Sequence, residues 1–293
     1  MLHVRIGHKL DRETTTKIQA LSWISMMYDP LGIIAPYILK GRLFYQLMNK
    51  AKMDWKDTIP EEILKPFLKW KSKVGLLRDL YVPRWTSSDE FAGDPCRVEL
   101  IMFCDASATG YGIVAYLRRI NLRTGKIMII FLISKCHVVP LQMLKEPLEG
   151  QEDHGDSIPR LELNATRLAA EWRDFLVREC GETFDEITMF SDSQTVLTWI
   201  RDWVRKFKTF ENFRIKRIRK LSQVHEWRFC PTNLNPADMA SKGLAADDPK
   251  WETFHSGPDF LLLDRSEWPE DPALILAGDG SFDNVAPRTP INQ

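Results

Sequence analysis

Between residues 98 and 134 the apolar positions come in three short runs, each patterned like a β-strand. In the first, Val98, Leu100, Met102 and Cys104 alternate with Glu99, Ile101 and Phe103, so both faces are largely apolar and both are expected to be covered. The second, YGIVAYLRR at 111–119, and the third, KIMIIFLIS at 126–134, are split by a polar turn ending at Gly125, a spacing that predicts an antiparallel meander. The period then lengthens. Over 157–180, helical winding gathers Leu161, Ala165, Leu168, Ala169, Trp172 and Leu176 on one stripe with Arg167, Glu171, Asp174 and Arg178 opposite. Ser157 stands where a cap belongs and Pro159 falls in the first turn. EITMFSD at 186–192 predicts another buried strand, followed by a helix with Val196, Trp199, Ile200, Trp203, Val204 and Phe207 on one stripe. EWRFC at 226–230 predicts a last short strand, and Asn235, Pro236 and Gly243 frame a short helix.

The flanks read differently. Residues 14–53 hold two apolar, helical stretches on either side of a DPLG turn, and 54–85 carry Trp55, Ile63, Leu64, Phe67, Leu68 and Trp70 among charges, again helical. TSSDEFAGDP at 86–95 is polar and turn-rich, which predicts a boundary between a mainly helical segment, 1–96, and a mixed domain, 97–245. Residues 144–157 read as an exposed acidic insertion. WETFHSGPDFL reads as a packed link and 271–293 as a mobile tail, so 246–293 is expected to be accessory.

Composition narrows the setting. The 293 residues are 44% hydrophobic and 27% charged, ordinary for a globular chain able to bury a large core. Lys plus Arg equals Asp plus Glu at 40 each, so no global field selects a partner. Five scattered cysteines without a CxxC pair argue for reduced thiols and against a disulfide framework or zinc finger. The N-terminal residues lack the pattern of a signal or transit peptide, and no apolar stretch has membrane-spanning length; a soluble intracellular protein is expected. Charge is concentrated in one place. Residues 201–220 hold nine Lys or Arg against Asp202 and Glu211, interleaved with Trp203, Phe207, Phe210 and Phe213. That pattern fits either a solvated helix face or phosphate contacts, and the cluster as a whole favours phosphate.

Candidate chemistry lies at element ends. Asp105 and Asp192 close two strands, Glu162 lies near the start of one helix and Asp238 in the first turn of another. Taken singly, each has a plain structural reading: a turn cap for a strand-end Asp, a dipole-satisfying acid for a first-turn carboxylate. Taken together, converging carboxylates would repel one another unless divalent cations bind, and hard oxygen donors without His or Cys select Mg²⁺ or Mn²⁺. Two such ions ready a water and stabilise a leaving oxygen, so metal-assisted phosphodiester hydrolysis is the reaction expected.

The order Asp105, Glu162, Asp192, Asp238, set in meander, helix, strand, helix, strand, helix, resembles a type 1 ribonuclease H domain. More narrowly, YDPLGIIAP, FCDASATGYG, IPRLEL, SDSQTVLTWI and NPADMASKG resemble segments of BEL/Pao-type retrotransposon polyproteins, over about residues 20–263. The resemblance implies an RNase H-like mixed five-stranded sheet flanked by helices, α+β in class, preceded by a helical segment that joins a reverse transcriptase palm to RNase H. It implies two Mg²⁺ ions, replaceable by Mn²⁺, and cleavage of the RNA strand of an RNA–DNA hybrid. Asp105 and Asp192 would touch the metals most directly, Glu162 would help bind one and orient the scissile strand, and Asp238 would hold the second. Arg205, Lys206, Lys208, Arg214, Lys216 and Arg217 would take phosphates of the DNA strand, and Gly110 and Gly112 would let backbone approach the RNA.

Two departures stand out. Phe229 occupies the position where related sequences carry a histidine, and residues 144–157 lengthen the link before IPRLEL. The sequence holds no YxDD polymerase motif, no DTG or DSG protease motif and no HHCC module, so it is expected to be a piece of a larger polyprotein that acts with the remainder. A catalytically inactive nucleic-acid-binding remnant is the alternative expectation; a DDE-type strand-transfer enzyme is disfavoured because NPAD lacks the Glu such an enzyme needs. The cytoplasm or a retroelement particle is the expected location.

Overall fold

The computed structural model describes residues 2–3, 13–82, 91, 93–143 and 157–272. The short strand β1 (Leu2–His3) pairs with β2 (Tyr81–Val82), and between them lie helices α1 (Lys17–Ser25), α2 (Ala35–Lys50) and α3 (Glu61–Ser72). The meander follows as β3 (Cys96–Ala106), β4 (Gly110–Asn121) and β5 (Ile127–Val138), then α4 (Ser157–Glu179), β6 (Glu186–Ser191), α5 (Gln194–Arg201), α6 (Thr209–Leu221) and β7 (Trp227–Phe229). Two short helices, α7 (Ala237–Lys242) and α8 (Trp251–Ser256), lead into the C-terminal link. The boundary predicted at 86–95, the insertion at 144–157 and the tail at 271–293 fall largely outside the described residues.

The sheet is five-stranded and mixed, as expected, with the order β5-β4-β3-β6-β7. β3 pairs antiparallel with β4 and parallel with β6, β4 pairs antiparallel with β5, and β6 pairs parallel with β7. Alternation along β3 sorts the core into two layers. Leu100, Met102 and Cys104 face Leu163, Leu168, Val196 and Ile215 of α4, α5 and α6. Ile101 and Phe103 face the other way, into a cluster that joins Trp23, Tyr37, Phe67 and Trp70 of α1–α3 to Phe190, Phe254 and Trp268. The apolar side chains of the N-terminal helices and one sheet face thus form a continuous core.

The DPLG turn explains how these helices are fixed. Asp29 accepts hydrogen bonds from the Ile33 and Ile34 amides at 2.8 Å each, just ahead of α2. Gly32, at φ 75°, lies so close to β5 that a Cβ there would meet the Ser134 carbonyl oxygen at 1.9 Å. Ser134 in turn donates its amide to Leu31 and its hydroxyl to Gly32, both at 2.9 Å.

One predicted helix is shorter than its apolar stripe. α5 ends at Arg201 because Asp202 adopts an extended conformation and its Oδ1 accepts from the amides of Val204 and Arg205 at 3.0 Å, an Asx turn that competes with helix continuation. Trp203 is consequently half-exposed and Val204 almost fully exposed, not part of the core stripe.

At the edge of the sheet opposite Asp105, Glu99 is fully buried and accepts from Arg118 at 2.9 Å; Arg118 also donates to the carbonyls of Leu261 and Leu263, tying the link to β4. Arg265 reaches Glu99 at 3.3 Å and pairs with Glu186. Glu99 keeps Arg97 at 2.8 Å and Arg265, so Arg118→Ala should lower stability in urea unfolding by roughly 1–3 kcal/mol, the cost of leaving buried acceptors on Glu99, Leu261 and Leu263 unmet.

Candidate active site

Parallel pairing of β3 with β6 sets the centre of the site. Cys104 is in register with Ser191, so Asp105, still paired with Gly112 of β4, and Asp192, the first residue beyond β6, stand side by side at the ends of neighbouring parallel strands. Asp105 is buried. α4 brings Glu162 in its second turn, where its Oε2 accepts from the Ser193 hydroxyl at 2.5 Å; Ser193 also caps α5 by accepting from the Val196 amide. α7 delivers Asp238. Its approach is fixed by Asn235, whose Nδ2 donates to the Cys104 carbonyl at 3.0 Å while its Oδ1 accepts from the Ala237 amide. A third tie runs from the Ser107 hydroxyl to the Ser241 carbonyl at 2.9 Å.

The carboxylates act on one another through their charges. Burial, then the neighbouring Asp192 charge, and more weakly Asp238, push the Asp105 carboxyl up to about 7, against the hydrogen bond from Ser241 that pulls it down. Burial raises the Glu162 carboxyl as well, with Asp192 adding to the rise and Ser193 opposing it. Lys242 is raised by its bond to Asp238, with Asp105 and Asp192 contributing.

Each of the four acids has a side-chain partner among the described residues. Ser241 donates to Asp105, Thr232 donates to Asp192 at 2.7 Å, Ser193 donates to Glu162, and the Lys242 ammonium lies 2.5 Å from Asp238. So disposed, no three His, Cys, Asp or Glu side chains among the described residues close into a group that could hold a metal ion. The donor chemistry nonetheless fits a hard cation. The site offers carboxylate oxygens, and Cys104, next to Asp105 in the chain, is buried with its thiol pushed far up, so it is no thiolate ligand.

The sequence matches the family described as the Pao retrotransposon-like RNaseH-like domain over residues 16–193, more than half of the chain. The chain belongs to this family. A foamy viral protease-reverse transcriptase in complex with dsDNA is similar in structure, with 11% identity, 78% of this chain and 41% of that chain covered, and a TM-score of 0.41. The form of that enzyme described as dRH, in complex with ds DNA, gives 11% identity, 75% and 32% coverage and a TM-score of 0.42. RNase H1 from the halophilic archaeon Halobacterium salinarum NRC-1 gives 16% identity, 49% and 93% coverage and a TM-score of 0.29. The chain spans about a third to two fifths of the foamy viral chains. A search of curated proteins finds no match. The fold is RNase H-like; Asp105 and Asp192 stand at the ends of the parallel strands β3 and β6, Glu162 is tied to Ser193 beside Asp192, and Asn235 ties the helix that carries Asp238 to the end of β3.

The basic segment of this Pao-type chain has two populations. Arg205, Lys206, Lys208, Lys216 and Arg217 are exposed. Arg217 lies 3.5 Å from Glu171, and Arg205 sits over the rings of Trp199 and Phe207. Arg214 departs from the expectation of a phosphate ligand. Its guanidinium stacks 3.4 Å over Phe210 and donates to Asn164 Oδ1 at 2.6 Å and to the Phe210 carbonyl, so it fastens α6 to α4 two residues beyond Glu162.

The glycines of FCDASATGYG also serve another purpose than expected. A Cβ on Gly110 would meet the Ser241 carbonyl oxygen at 2.6 Å, and one on Gly112 would meet Ala240 at 2.7 Å, so they admit α7 rather than an RNA backbone. Sequence reasoning named Asn235 only as a helix cap and missed its tie to Cys104, and it missed Ser193, Thr232, Ser241 and Lys242. The signal lay in plain view for three: Ser193 follows Asp192, and Ser241 and Lys242 stand three and four residues after Asp238, one helical turn on.

Asp105 binds its proton more tightly in the folded chain than in the unfolded one, where the value is near 3.8. Its contribution is therefore favourable below that value and is lost as pH rises through about 7. In metal-free buffer Asp105→Asn should be more stable than the parent by roughly 2–4 kcal/mol at pH 8, the gain vanishing toward pH 4, as read by urea unfolding across that range.

Proposed function

We propose that this chain is the RNase H module of a retrotransposon polymerase, a Mg²⁺-dependent endonuclease that hydrolyses the RNA strand of RNA–DNA hybrids. The observation that carries the reading is the pairing register that sets the buried Asp105 beside Asp192 at the strand ends, two acids whose charges oppose each other. Asp105, Glu162, Asp192 and Asp238 would hold two Mg²⁺ or Mn²⁺ ions, which supply a readied water and a counter-charge for the leaving oxygen. The chain's own part is positional. Ser241 donates to Asp105 and favours its charged form; Ser193 holds Glu162 by its hydroxyl; Asn235 ties α7, which carries Asp238, to the end of β3. Thr232 steadies Asp192 through its hydroxyl. RNA is told from DNA through its 2′-hydroxyls, and exposed Arg205, Lys206, Lys208, Lys216 and Arg217 take phosphates of the DNA strand.

The setting proposed is a Pol polyprotein, with 1–96 as the segment joining the palm to RNase H, 97–245 as the nuclease and 246–293 as link and tail, in the cytoplasm or a retroelement particle. Among the described residues no helix is long and apolar enough to cross a membrane.

Incubation of the chain with a labelled RNA–DNA hybrid and Mg²⁺ tests the reading: the RNA strand should be cut, and Asp105→Asn or Asp192→Asn should each slow cleavage by at least about 100-fold. Equal cleavage by parent and variants would sink it. A second reading, a binding remnant without turnover, is favoured by Phe229 and by the engagement of every carboxylate with an internal partner. It expects the hybrid to be bound but left intact at any Mg²⁺ or Mn²⁺ concentration.

Binding itself has a separate signature. The slope of log K against log salt should fall by about 0.9 for each of Lys206→Ala, Lys208→Ala and Lys216→Ala that removes a phosphate contact. Arg214→Ala should instead lower the unfolding midpoint, because it severs α6 from α4.

A further inference from the structure

A groove of about 450 Å³ runs between α2, α3 and the residues that follow α7. Its floor is apolar, with Phe44 and Leu47 from α2 and Pro66 from α3, and Leu47 is 47% exposed. Four lysines line it: Lys40, Lys69, Lys73 and Lys242. Two acids meet them: Asp247 pairs with Lys73 at 2.6 Å and also feels Lys40, and Asp238 pairs with Lys242. An exposed apolar floor marks a contact surface, and a rim dominated by one sign of charge selects an anionic occupant. Lys242 belongs both to this groove and to the carboxylate cluster, where it lies against Asp238. The groove therefore opens within one side-chain length of the candidate active site.

We propose that this groove is a subsite for single-stranded nucleic acid flanking the hybrid, with phosphates on Lys40 and Lys69 and an unpaired base on the floor made by Phe44 and Leu47. The direction of the strand rests on the hydrolase reading above. A duplex keeps its base faces stacked inside, so only an unpaired base can present a face to that floor. An acidic amphipathic peptide carries a similar charge pattern, but a groove that adjoins a centre built for phosphodiesters is matched by a continuing strand.

The test is fluorescence anisotropy on the full chain in EDTA, where no hydrolysis occurs. The probes are a blunt RNA–DNA hybrid, the same hybrid with a short single-stranded overhang at either end, a single-stranded oligonucleotide and an acidic amphipathic peptide. An overhang at one end should tighten binding by about tenfold, the scale of one stacked base. Lys40→Glu combined with Lys69→Glu should abolish that gain and weaken the oligonucleotide, while leaving the blunt hybrid within about twofold; Leu47→Asp should do the same. An overhang gain that survives these variants overturns the proposal, as does the absence of any gain together with no oligonucleotide binding. Lysine-dependent capture of the peptide without the oligonucleotide overturns it in favour of a protein partner. The hydrolase reading fails separately, by lack of cleavage in Mg²⁺, and lysine-dependent binding of the oligonucleotide would still stand.

Discussion

Two acids at the ends of neighbouring parallel strands repel each other, and much of the surrounding structure serves to hold them there. The register of β3 with β6 leaves no choice: once Cys104 pairs with Ser191, Asp105 and Asp192 emerge together. Burial strengthens the repulsion, because the sheet edge offers less solvent to screen it. Relief comes from outside the sheet. Hydroxyls of Ser241, Thr232 and Ser193 and the ammonium of Lys242 each engage one carboxylate, and two of these four come from α7.

That short helix is held from two sides. Asn235 and Ser107 tie it to the end of β3, and the bare backbones of Gly110 and Gly112 let it lie directly on β4. On its far side the Leu244 amide donates to the Pro36 carbonyl at the start of α2. α2 is itself anchored, by the Asp29 bonds to its leading turn and by the contact of Gly32 with Ser134. The N-terminal helices thus contribute no carboxylate, yet they brace the element that carries Asp238. A chain cut before β3 would lose that brace along with the aromatic layer of Trp23, Tyr37, Phe67 and Trp70 that covers one face of the sheet.

Much of this was legible in the residues. Alternation in 98–105 and the FCD and FSD endings gave the strands and both aspartates, because a sheet buried on both faces writes its period directly into the chain. The same logic failed at residues 202–207. There the apolar stripe continued but one side-chain carboxylate, Asp202, satisfied two amides and ended the helix, a local competition that periodicity does not register. Gly110 and Gly112 were read as room for a ligand and proved to be room for α7, since a glycine announces close approach without saying of what. Arg214 is expected from the sequence to take a phosphate, because sequence shows charge but not the Phe210 ring and Asn164 amide that claim it.

β3 carries two buried acids, and the contrast between them bears on what the site is for. At one end Glu99 meets the guanidinium groups of Arg118 and Arg265, so its charge is answered by cations fixed in the chain. At the other end Asp105 meets a serine hydroxyl and two further acids, and the nearest ammonium is given to Asp238. A fold that needed only a structural acid at this edge had the Glu99 solution available a few residues away on the same strand. Leaving Asp105 without a cation of its own costs stability at neutral pH, a cost that natural sequences concentrate at functional sites. The missing charge is of the kind a divalent ion brings from solution, which is why the uncompensated end of β3, rather than the better-paired one, supports the proposed chemistry.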